Sequence, residues 1–269
     1  MTPLTFRVRG APEQRLDLSP LTPQRLAGKS EREISDIELQ TTRRAVRVGD
    51  LFDVSNGSAE HIVVEGGSEK FDRVGEGINA GSITIQGDVG NRAGRAMAGG
   101  RLTINGNSGH WTASGMTAGL IEISGDVGDR LGGPLAGEVE GMNGGMVVVR
   151  GRAGAQAADR LRRGILIVEG DAGDDAGSRM LAGTLILCGS ASARTGYLMR
   201  RGTIVLGASR GSLGPTFVDC GGHELTAHRL IAAYVRESSP RSVELLRGSL
   251  RRFVGDTAVL GKGEIFVAA

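Results

Sequence analysis

Several common features are scarce in this 269-residue chain, and each scarcity excludes a class of protein. Two cysteines, Cys188 and Cys220, are too few for the disulfide framework of a secreted domain. A net charge of +2 leaves no electrostatic footprint for nucleic acid. No apolar run reaches membrane-spanning length, and residues 1–10 lack the apolar core of a signal peptide. We therefore expect a cytoplasmic protein that binds neither nucleic acid nor membrane.

Glycine, in contrast, is abundant and periodic, with 45 residues in the chain. Seven short apolar runs each begin at a glycine, namely Gly81, Gly100, Gly119, Gly145, Gly164, Gly183 and Gly202. Every step is 19 residues long, except that the step from Gly119 to Gly145 is 26. A fixed period of this kind indicates a protein in which each repeat stacks on the next.

Within each run apolar and polar residues alternate, which predicts a β-strand and not a helix. The inward positions form two aliphatic columns; the first is Ile83, Leu102, Ile121, Val147, Leu166, Leu185 and Ile204, and the second lies two residues further on. One such run cannot bury a face alone, but seven of them stacked at about 4.8 Å would enclose a continuous apolar interior. An aromatic content of only 3% agrees with that interior.

Each strand is followed by a tight glycine corner and then by a third apolar column. Asp88, Asp126 and Asp171 recur at this corner, where carboxylates can cap turns or, as the alternative, hold a ladder of calcium ions. This third column is Met97, Met116, Met142, Leu161, Met180 and Met199. Together these features predict an all-β fold, a parallel β-helix of about seven 19-residue coils over residues 61–210.

The flanking segments do not repeat, and we expect them to close the two ends of the stack. Strand candidates at residues 4–9, 34–39 and 45–48 predict a small strand-rich module over residues 1–60, and residues 61–66 form a ragged first repeat. In the C-terminal segment, residues 211–269, a helix is predicted over 223–235 with Leu230, Ile231, Tyr234 and Val235 on its apolar side. A second helix is predicted from Pro240 to Val254, and a last strand over 264–267.

The outward strand positions change character along the stack. They are polar in the early repeats and apolar in the later ones, at Val148, Ile167, Ile186 and Val205. An apolar stripe on an outer face needs a cover. We therefore predict that the C-terminal helices form this cap, mainly through the amphipathic segment from Val243 to Phe253.

Two surface features have more than one interpretation. The 26-residue step contains a seven-residue insertion near residues 134–142, which is either a neutral surface loop or a contact to a partner. Arginines cluster at Arg160, Arg162 and Arg163 and again at Arg200 and Arg201. They belong either to a solvated mixed surface or to a docking site for an acidic partner or a carboxylate-rich cofactor tail.

No catalytic, metal or cofactor site is predicted for this chain. The histidines His61, His110, His223 and His228 show no metal-ligand spacing to a second histidine, cysteine or carboxylate. Neither cysteine has the neighbouring base that a nucleophile requires. We expect any chemistry to be performed by other chains.

The glycine corners resemble those of a known β-helix. The spacing of Gly87, Gly90 and Gly94 returns at Gly125, Gly128 and Gly132 and at Gly170, Gly173 and Gly177. It is similar to the glycine motif shared by the C-terminal domain of the glutamate synthase large subunit and by the C subunit of formylmethanofuran dehydrogenase. The bacterial relative of the latter enzyme is the formyltransferase/hydrolase complex. Residues 48–54, 253–256 and 261–265 resemble the dehydrogenase family, although Ala113, Ala158 and Ser192 depart from the motif.

This resemblance implies a right-handed β-helix acting as a scaffold subunit of a cytoplasmic hetero-oligomer. Such a complex moves a formyl group between methanofuran or methylofuran and tetrahydromethanopterin and releases formate, or, in its archaeal form, links the carrier to CO2. The implied partners are a formyltransferase subunit and an amidohydrolase-like subunit, which hold the metal and pterin sites. A glutamate-synthase-type structural domain and a stand-alone β-helix enzyme remain alternatives.

Overall fold

The chain is built mainly of strands. The structure, a computed structural model, describes residues 2–41, 44–209, 213–223 and 226–269, over which it has seventeen strands and five short helices. The strands are β1 Pro3–Val8, β2 Leu16–Asp17, β3 Glu38–Thr41, β4 Val46–Arg47, β5 Phe52–Ser55, β6 Ser58–Glu65, β7 Phe71–Asp72, β8 Ser82–Gln86, β9 Ala98–Ile104, β10 Ala118–Ile123, β11 Asn143–Val149, β12 Arg163–Val168, β13 Thr184–Ala191, β14 Arg201–Ser209, β15 Val218–His223, β16 Leu250–Gly255 and β17 Lys262–Ala268. The helices are α1 Pro23–Leu26, α2 Glu31–Ser35, α3 Val48–Leu51, α4 Thr226–Val235 and α5 Pro240–Arg247. The all-β prediction is confirmed, and no described helix is long and apolar enough to cross a membrane.

The repeat strands lie side by side in chain order and run parallel to one another. Strands β6 and β8 to β14 occupy consecutive places in a 13-stranded sheet. Ile83 lies opposite Leu102, and the longer step keeps the same register because Ile121 pairs with Val147 across it. Both aliphatic columns are buried, as predicted. The expected first repeat is also confirmed, since β6 pairs with β8 in the same register.

Successive repeats also bond to each other away from these strands. A second parallel ladder of single bridges joins Ser108, Val127, Ala153, Ala172 and Ala191 in order. Further along the repeat, the N–H of Ala96 donates to the carbonyl of Ser114. The column of methionine and leucine at positions 97, 116, 142, 161, 180 and 199 is fully buried. Each repeat is therefore held to its neighbours at several points along its length.

The strand predicted over residues 34–39 is wrong in its first half. The side chain of Ser30 accepts the N–H of Glu33, and the Glu33 carboxylate accepts the N–H of Ser30 in return. This capping box starts α2 where apolar spacing alone indicated a strand. In the same way, Val48 begins α3 instead of ending a strand.

Antiparallel pairs close both ends of the large sheet. At one end β5 pairs with β1, and at the other β15 pairs with β16. Both edge strands run opposite to their neighbour. Strands β6 and β8 to β14 are parallel to one another, and β16 is antiparallel to β17 as well as to β15. The β15–β16 pairing also shifts register between Asp219 and Gly222.

The C-terminal segment covers the outer face of the later repeats, which confirms the predicted intramolecular packing. The outward residues Val148, Ile167, Ile186 and Val205 are fully buried. They share one cluster with Ala232 and Val235 of α4, Val243 and Leu246 of α5, Leu250 of β16 and Phe266 of β17. The apolar stripe is thus covered by the chain itself.

The second C-terminal helix is shorter than predicted. It ends at Arg247, and both Leu250 and Phe253 lie in β16. Gly248 occupies the C-cap in an extended conformation and donates its N–H to the carbonyl of Leu245. The following residues then pair antiparallel with β15 and β17, and this pairing outweighs the helical spacing of their apolar side chains.

The first C-terminal helix buries only part of the predicted apolar side. Val235 is buried and Ile231 packs against the same cluster, but Leu230 and Tyr234 are 70% and 66% exposed, so their assignment to the packed side is wrong. The buried residues of the helix, His228, Ala232 and Val235, follow i, i+4, i+7 spacing. His223 belongs to β15, and positions 224 and 225 lie outside the described residues, as do positions 210 to 212 of the predicted break after the repeats.

We expect His228 to make the stability of this cover depend on pH. Its ring stands edge-on to Phe266, with centroids 4.4 Å apart, and its Nε2 has no hydrogen-bond partner among the described residues. Burial lowers the pKa of His228 from its ordinary value of 6.5, and the nearby charge of Glu264 opposes that shift. At a pH near the ordinary pKa, His228 therefore binds a proton in the unfolded chain but not in the folded chain. The free energy of unfolding should consequently fall on acidification.

The measurement is urea unfolding of the natural protein and of His228→Leu at about pH 7.5 and about pH 5.5. The natural protein should lose more stability between the two conditions than the variant. Equal losses of stability in the two proteins would show that the His228 imidazole does not contribute to the pH dependence.

Candidate functional site

The recurring corner aspartates cap backbone groups, as the first of the two alternatives predicts. Each carboxylate accepts a main-chain N–H from the following repeat. Oδ1 of Asp88 accepts from Asn107 at 2.7 Å, and Oδ1 of Asp126 accepts from Arg152 at 2.7 Å. Asp171 accepts from Ser190 at 2.8 Å in the same way. These oxygens hold neighbouring repeats together.

A second ladder of side-chain caps was not anticipated from the sequence, although its members are also 19 residues apart. Asn91 Oδ1 accepts the N–H of His110 at 2.9 Å, and His110 Nδ1 accepts the N–H of Asp129 at 2.9 Å. Asp129 Oδ1 continues the ladder to the N–H of Ala155 at 2.8 Å. His110 Nδ1 therefore acts as a hydrogen-bond acceptor, in a position that asparagine and aspartate fill in neighbouring repeats.

The nine motif glycines lie at these corners. A Cβ added at any of them would contact neighbouring atoms in one of two ways. A Cβ would approach the preceding repeat at Gly87, Gly90, Gly125, Gly128, Gly170 and Gly173. A Cβ would instead meet core side chains at Gly94, Gly132 and Gly177, which also have positive φ. At Gly177, for example, φ is +69° and a Cβ would lie 2.5 Å from Cδ1 of Ile204.

The two cysteines should differ sharply in reactivity. Cys220 is exposed, whereas Cys188 is half-buried under the C-terminal cover. Burial, with a smaller contribution from the charge of Glu169, raises the pKa of the Cys188 thiol to about 12. Because the thiolate is the reactive form, Cys188 should stay inert at neutral pH.

Titration with dithionitrobenzoate should therefore show one fast thiol in the native protein and a second only after denaturation. Cys220→Ser should abolish the fast phase, and Cys188→Ser should leave it intact. A fast phase that survives in Cys220→Ser would refute the assignment.

The structure also brings together a histidine and a serine that are distant in sequence. His61 Nδ1 lies 2.9 Å from Ser82 Oγ, beside a recess of about 660 Å³ between α1 and strands β6 and β8. The two residues are directly opposed on neighbouring strands, so the contact is a cross-strand pair. Within the described part of the chain, no three His, Cys, Asp or Glu side chains come together as a metal-binding group.

The structure divides the arginines of both clusters predicted from the sequence. Arg160 and Arg200 line a common groove. Arg162 is instead paired with Glu140, with Nη1 and Oε1 3.1 Å apart. Arg163 and Arg201 are exposed first residues of β12 and β14 and lie outside the lining of that groove.

The groove has a volume of about 340 Å³ and crosses the last repeats at one corner. Its lining consists of Val139, Arg160, Arg179, Leu181, Leu198, Arg200 and Val259. Positions 160, 179 and 198 are 19 residues apart and form one row, and positions 181 and 200 form another. Val139 comes from the insertion, and Val259 comes from the turn between β16 and β17. Three separate parts of the chain therefore build this groove.

The insertion is fixed at its centre. The Glu138 carboxylate accepts Arg95 Nη2 and the N–H of Leu135, at 2.7 Å and 2.9 Å. The hydrogen bond from Arg95 is the main cause that lowers the pKa of Glu138. Arg160 Nη1 donates to the main-chain carbonyl of Glu138 at 3.1 Å and ties the loop to the next repeat. These contacts leave the following residue, Val139, 75% exposed.

One arginine of the groove is neutralised by a buried carboxylate. Arg179 binds Asp159 through Nε at 2.9 Å and through Nη2 at 2.7 Å. The Asp159 side chain is only 2% exposed and also accepts Ser178 Oγ at 2.9 Å. This bidentate pair is geometrically fixed and holds two neighbouring repeats together.

The described chain is thus an all-β repeat protein with interlocking corner caps and an arginine-lined groove. No family model matches it. Over 98% of its length it is 46% identical to the C subunit of the formyltransferase/hydrolase complex Fhc of Methylorubrum extorquens, and the alignment covers 99% of that protein. The chain belongs to the family of this C subunit.

Structural similarity agrees with this assignment. The chain superimposes with a TM-score of 0.94 and 43% identity on a chain in the X-ray structure of the formyltransferase/hydrolase complex (FhcABCD) from Methylorubrum extorquens with methylofuran. That match covers 98% of this chain and 99% of the other. A more distant relative is the C subunit of tungsten-containing formylmethanofuran dehydrogenase 2 of Methanothermobacter thermautotrophicus, which is 31% identical over 94 residues, 33% of this chain and 35% of that protein. The predicted resemblance to this family of C subunits is confirmed.

Proposed function

We propose that the chain is a non-catalytic subunit of a formyltransferase/hydrolase complex, in which it provides a rigid surface for the other subunits. The observation that carries this proposal is the 46% identity with the C subunit of such a complex over nearly the whole chain. The groove and the fixed insertion supply shaped surface of the kind that a partner protein can recognise.

In this proposal the complex moves a formyl group between a furan-type carrier and tetrahydromethanopterin and releases formate in the cytoplasm. A formyltransferase subunit and an amidohydrolase-like subunit bind the carrier, the pterin and any metal, and this chain binds none of them. This division of roles is supported by the internal hydrogen bonds and ion pairs that the polar side chains of this chain already make. The corner carboxylates and His110 cap backbone groups, and Asp159 holds Arg179.

We further infer that the repeats over residues 61–210 form a right-handed parallel β-helix, flanked by a module over 1–60 and a cap over 211–269. The parallel order of the repeat strands and the second ladder of bridges support a coil in which each repeat makes one turn. Such a coil has little freedom to change shape, which suits a scaffold.

Co-expression of the tagged chain with the other three subunits of the complex from the same organism tests the proposal. We expect a hetero-oligomer in which mass spectrometry identifies the formyltransferase and amidohydrolase-like subunits, together with no formyl turnover by the isolated chain. Omission of the chain should prevent stable assembly. Association with a glutamate-synthase subunit instead, or turnover by the chain alone, would establish one of the alternatives.

A further inference from the structure

Two arginines of the groove have no carboxylate partner among the residues that the structure describes. The Arg200 side chain is exposed and has no ion-pair or hydrogen-bond partner in the part of the chain that the structure describes. The Arg160 side chain donates only to a main-chain carbonyl, that of Glu138. The nearby carboxylates are already engaged, Glu138 by Arg95, Glu140 by Arg162, Asp159 by Arg179, and Asp256 by the N–H groups of Leu198 and Ala258. The groove is therefore complementary to added negative charge.

The same groove has apolar walls. Val139 is held in solvent because Glu138 and Glu140, on either side of it, are paired with arginines of the repeats. Val259, which lines the groove from the turn after β16, is 41% exposed. An apolar side chain that is fixed in solvent, beside charges without partners, is typical of a contact residue at a protein interface.

We propose that this groove receives an extended acidic segment of a partner subunit, and that the insertion presents Val139 to an apolar residue of that segment. The inference rests on the proposed function, since it takes the chain to be part of a multi-subunit complex. It also identifies the insertion at residues 134–142 as a contact element.

The repeat geometry limits the form of this segment. Arg160 and Arg200 belong to repeats two steps apart and to different rows, so their backbones are separated by about 10 Å along the stack and by a further offset of two residues across it. An extended chain covers that distance in about three to four residues. The segment should therefore carry two carboxylates about three to four residues apart, with apolar contacts to Leu181 and Leu198 between them.

The first experiment measures assembly of the complete complex with charge-reversed chains. Arg200→Glu should weaken association of the tagged chain with the other subunits by about tenfold or more, because it places a negative charge opposite a carboxylate. Arg201→Glu is the matched control, with the same charge change one residue away and outside the groove, and should assemble normally. Both isolated variants should keep the melting temperature of the natural chain, since neither arginine side chain has a partner to lose in the described residues.

The second experiment identifies the occupant. Benzoylphenylalanine at position 139 should, on irradiation of the assembled complex, crosslink to one acidic segment of a partner subunit, identified by mass spectrometry. Crosslinks only to a second copy of this chain, crosslinks to a segment without carboxylates, or no crosslink would overturn the proposal. Equal assembly of Arg200→Glu and the natural chain would also overturn it. If the natural chain itself fails to assemble with these subunits, the proposed function is wrong, and the two failures are thus distinguishable.

Discussion

An Ile186→Asp variant should lose its C-terminal cover while the stack of repeats stays folded. Ile186 is fully buried in the cluster between the later repeats and the C-terminal helices. A carboxylate at this site would be buried without a partner, at a cost of about 4 kcal/mol or more. Its neighbours Leu185 and Leu187 point to the opposite face and belong to the inner core, which the substitution does not touch. We therefore expect α4 and α5 to detach.

Limited trypsin digestion with mass spectrometry would show this detachment as rapid cleavage within residues 226–247. Circular dichroism should still report the strands of the repeats. Thr84→Asp is the matched control, because Thr84 occupies the same outward position in an early repeat that has no such cover. Equal resistance of the Ile186→Asp and Thr84→Asp variants would mean that the cover does not depend on this contact.

A single methyl group at Gly170 should destabilise the stack severely. A Cβ at this position would lie 2.6 Å from the carbonyl oxygen of Gly151 and 2.8 Å from its carbon, and backbone atoms cannot rotate away. The same residue donates its N–H to Gly151 and accepts one from Gly189, so any shift strains hydrogen bonds to both neighbouring repeats. We expect Gly170→Ala to lower the free energy of unfolding by about 3 kcal/mol.

Urea unfolding followed by circular dichroism measures that loss. Gly10→Ala provides the control, because a Cβ there meets no atom within 4 Å and the backbone does not require positive φ. It should change the free energy of unfolding by no more than about 0.5 kcal/mol. A similar small effect at position 170 would show that the repeats can separate without cost.

The repeats could be predicted from the sequence because one pattern recurs seven times. Period 2 within each run and period 19 between runs together determine strand, inward face and register, and Ile121 opposite Val147 shows that even the longer step keeps them. The flanks have no such redundancy. In the C-terminal segment, helical spacing of apolar residues competes with strand pairing, and Gly248 decides where α5 ends.

The candidate site was harder to predict because contacts in a stack join residues 19 apart, not neighbours in sequence. Arg160 and Arg162 look like one cluster, yet one lines the groove and the other pairs with Glu140. Arg179 joins the groove from the next repeat. The path of the insertion depends on the ion pair between Arg95 and Glu138, residues 43 apart, which no local pattern reveals.

The antiparallel strands at the two ends of the sheet have a consequence for solubility. A stack of parallel strands presents open edges on which another molecule could add in register, and repetition of that step would produce a fibre. In this protein the outermost strands, β5 and β15, each pair antiparallel with their neighbour, and the β15–β16 pairing is interrupted by a register shift. These antiparallel pairs at the two sheet edges therefore disfavour polymerisation, and a strand-rich protein of this kind can remain a discrete particle in a crowded cell.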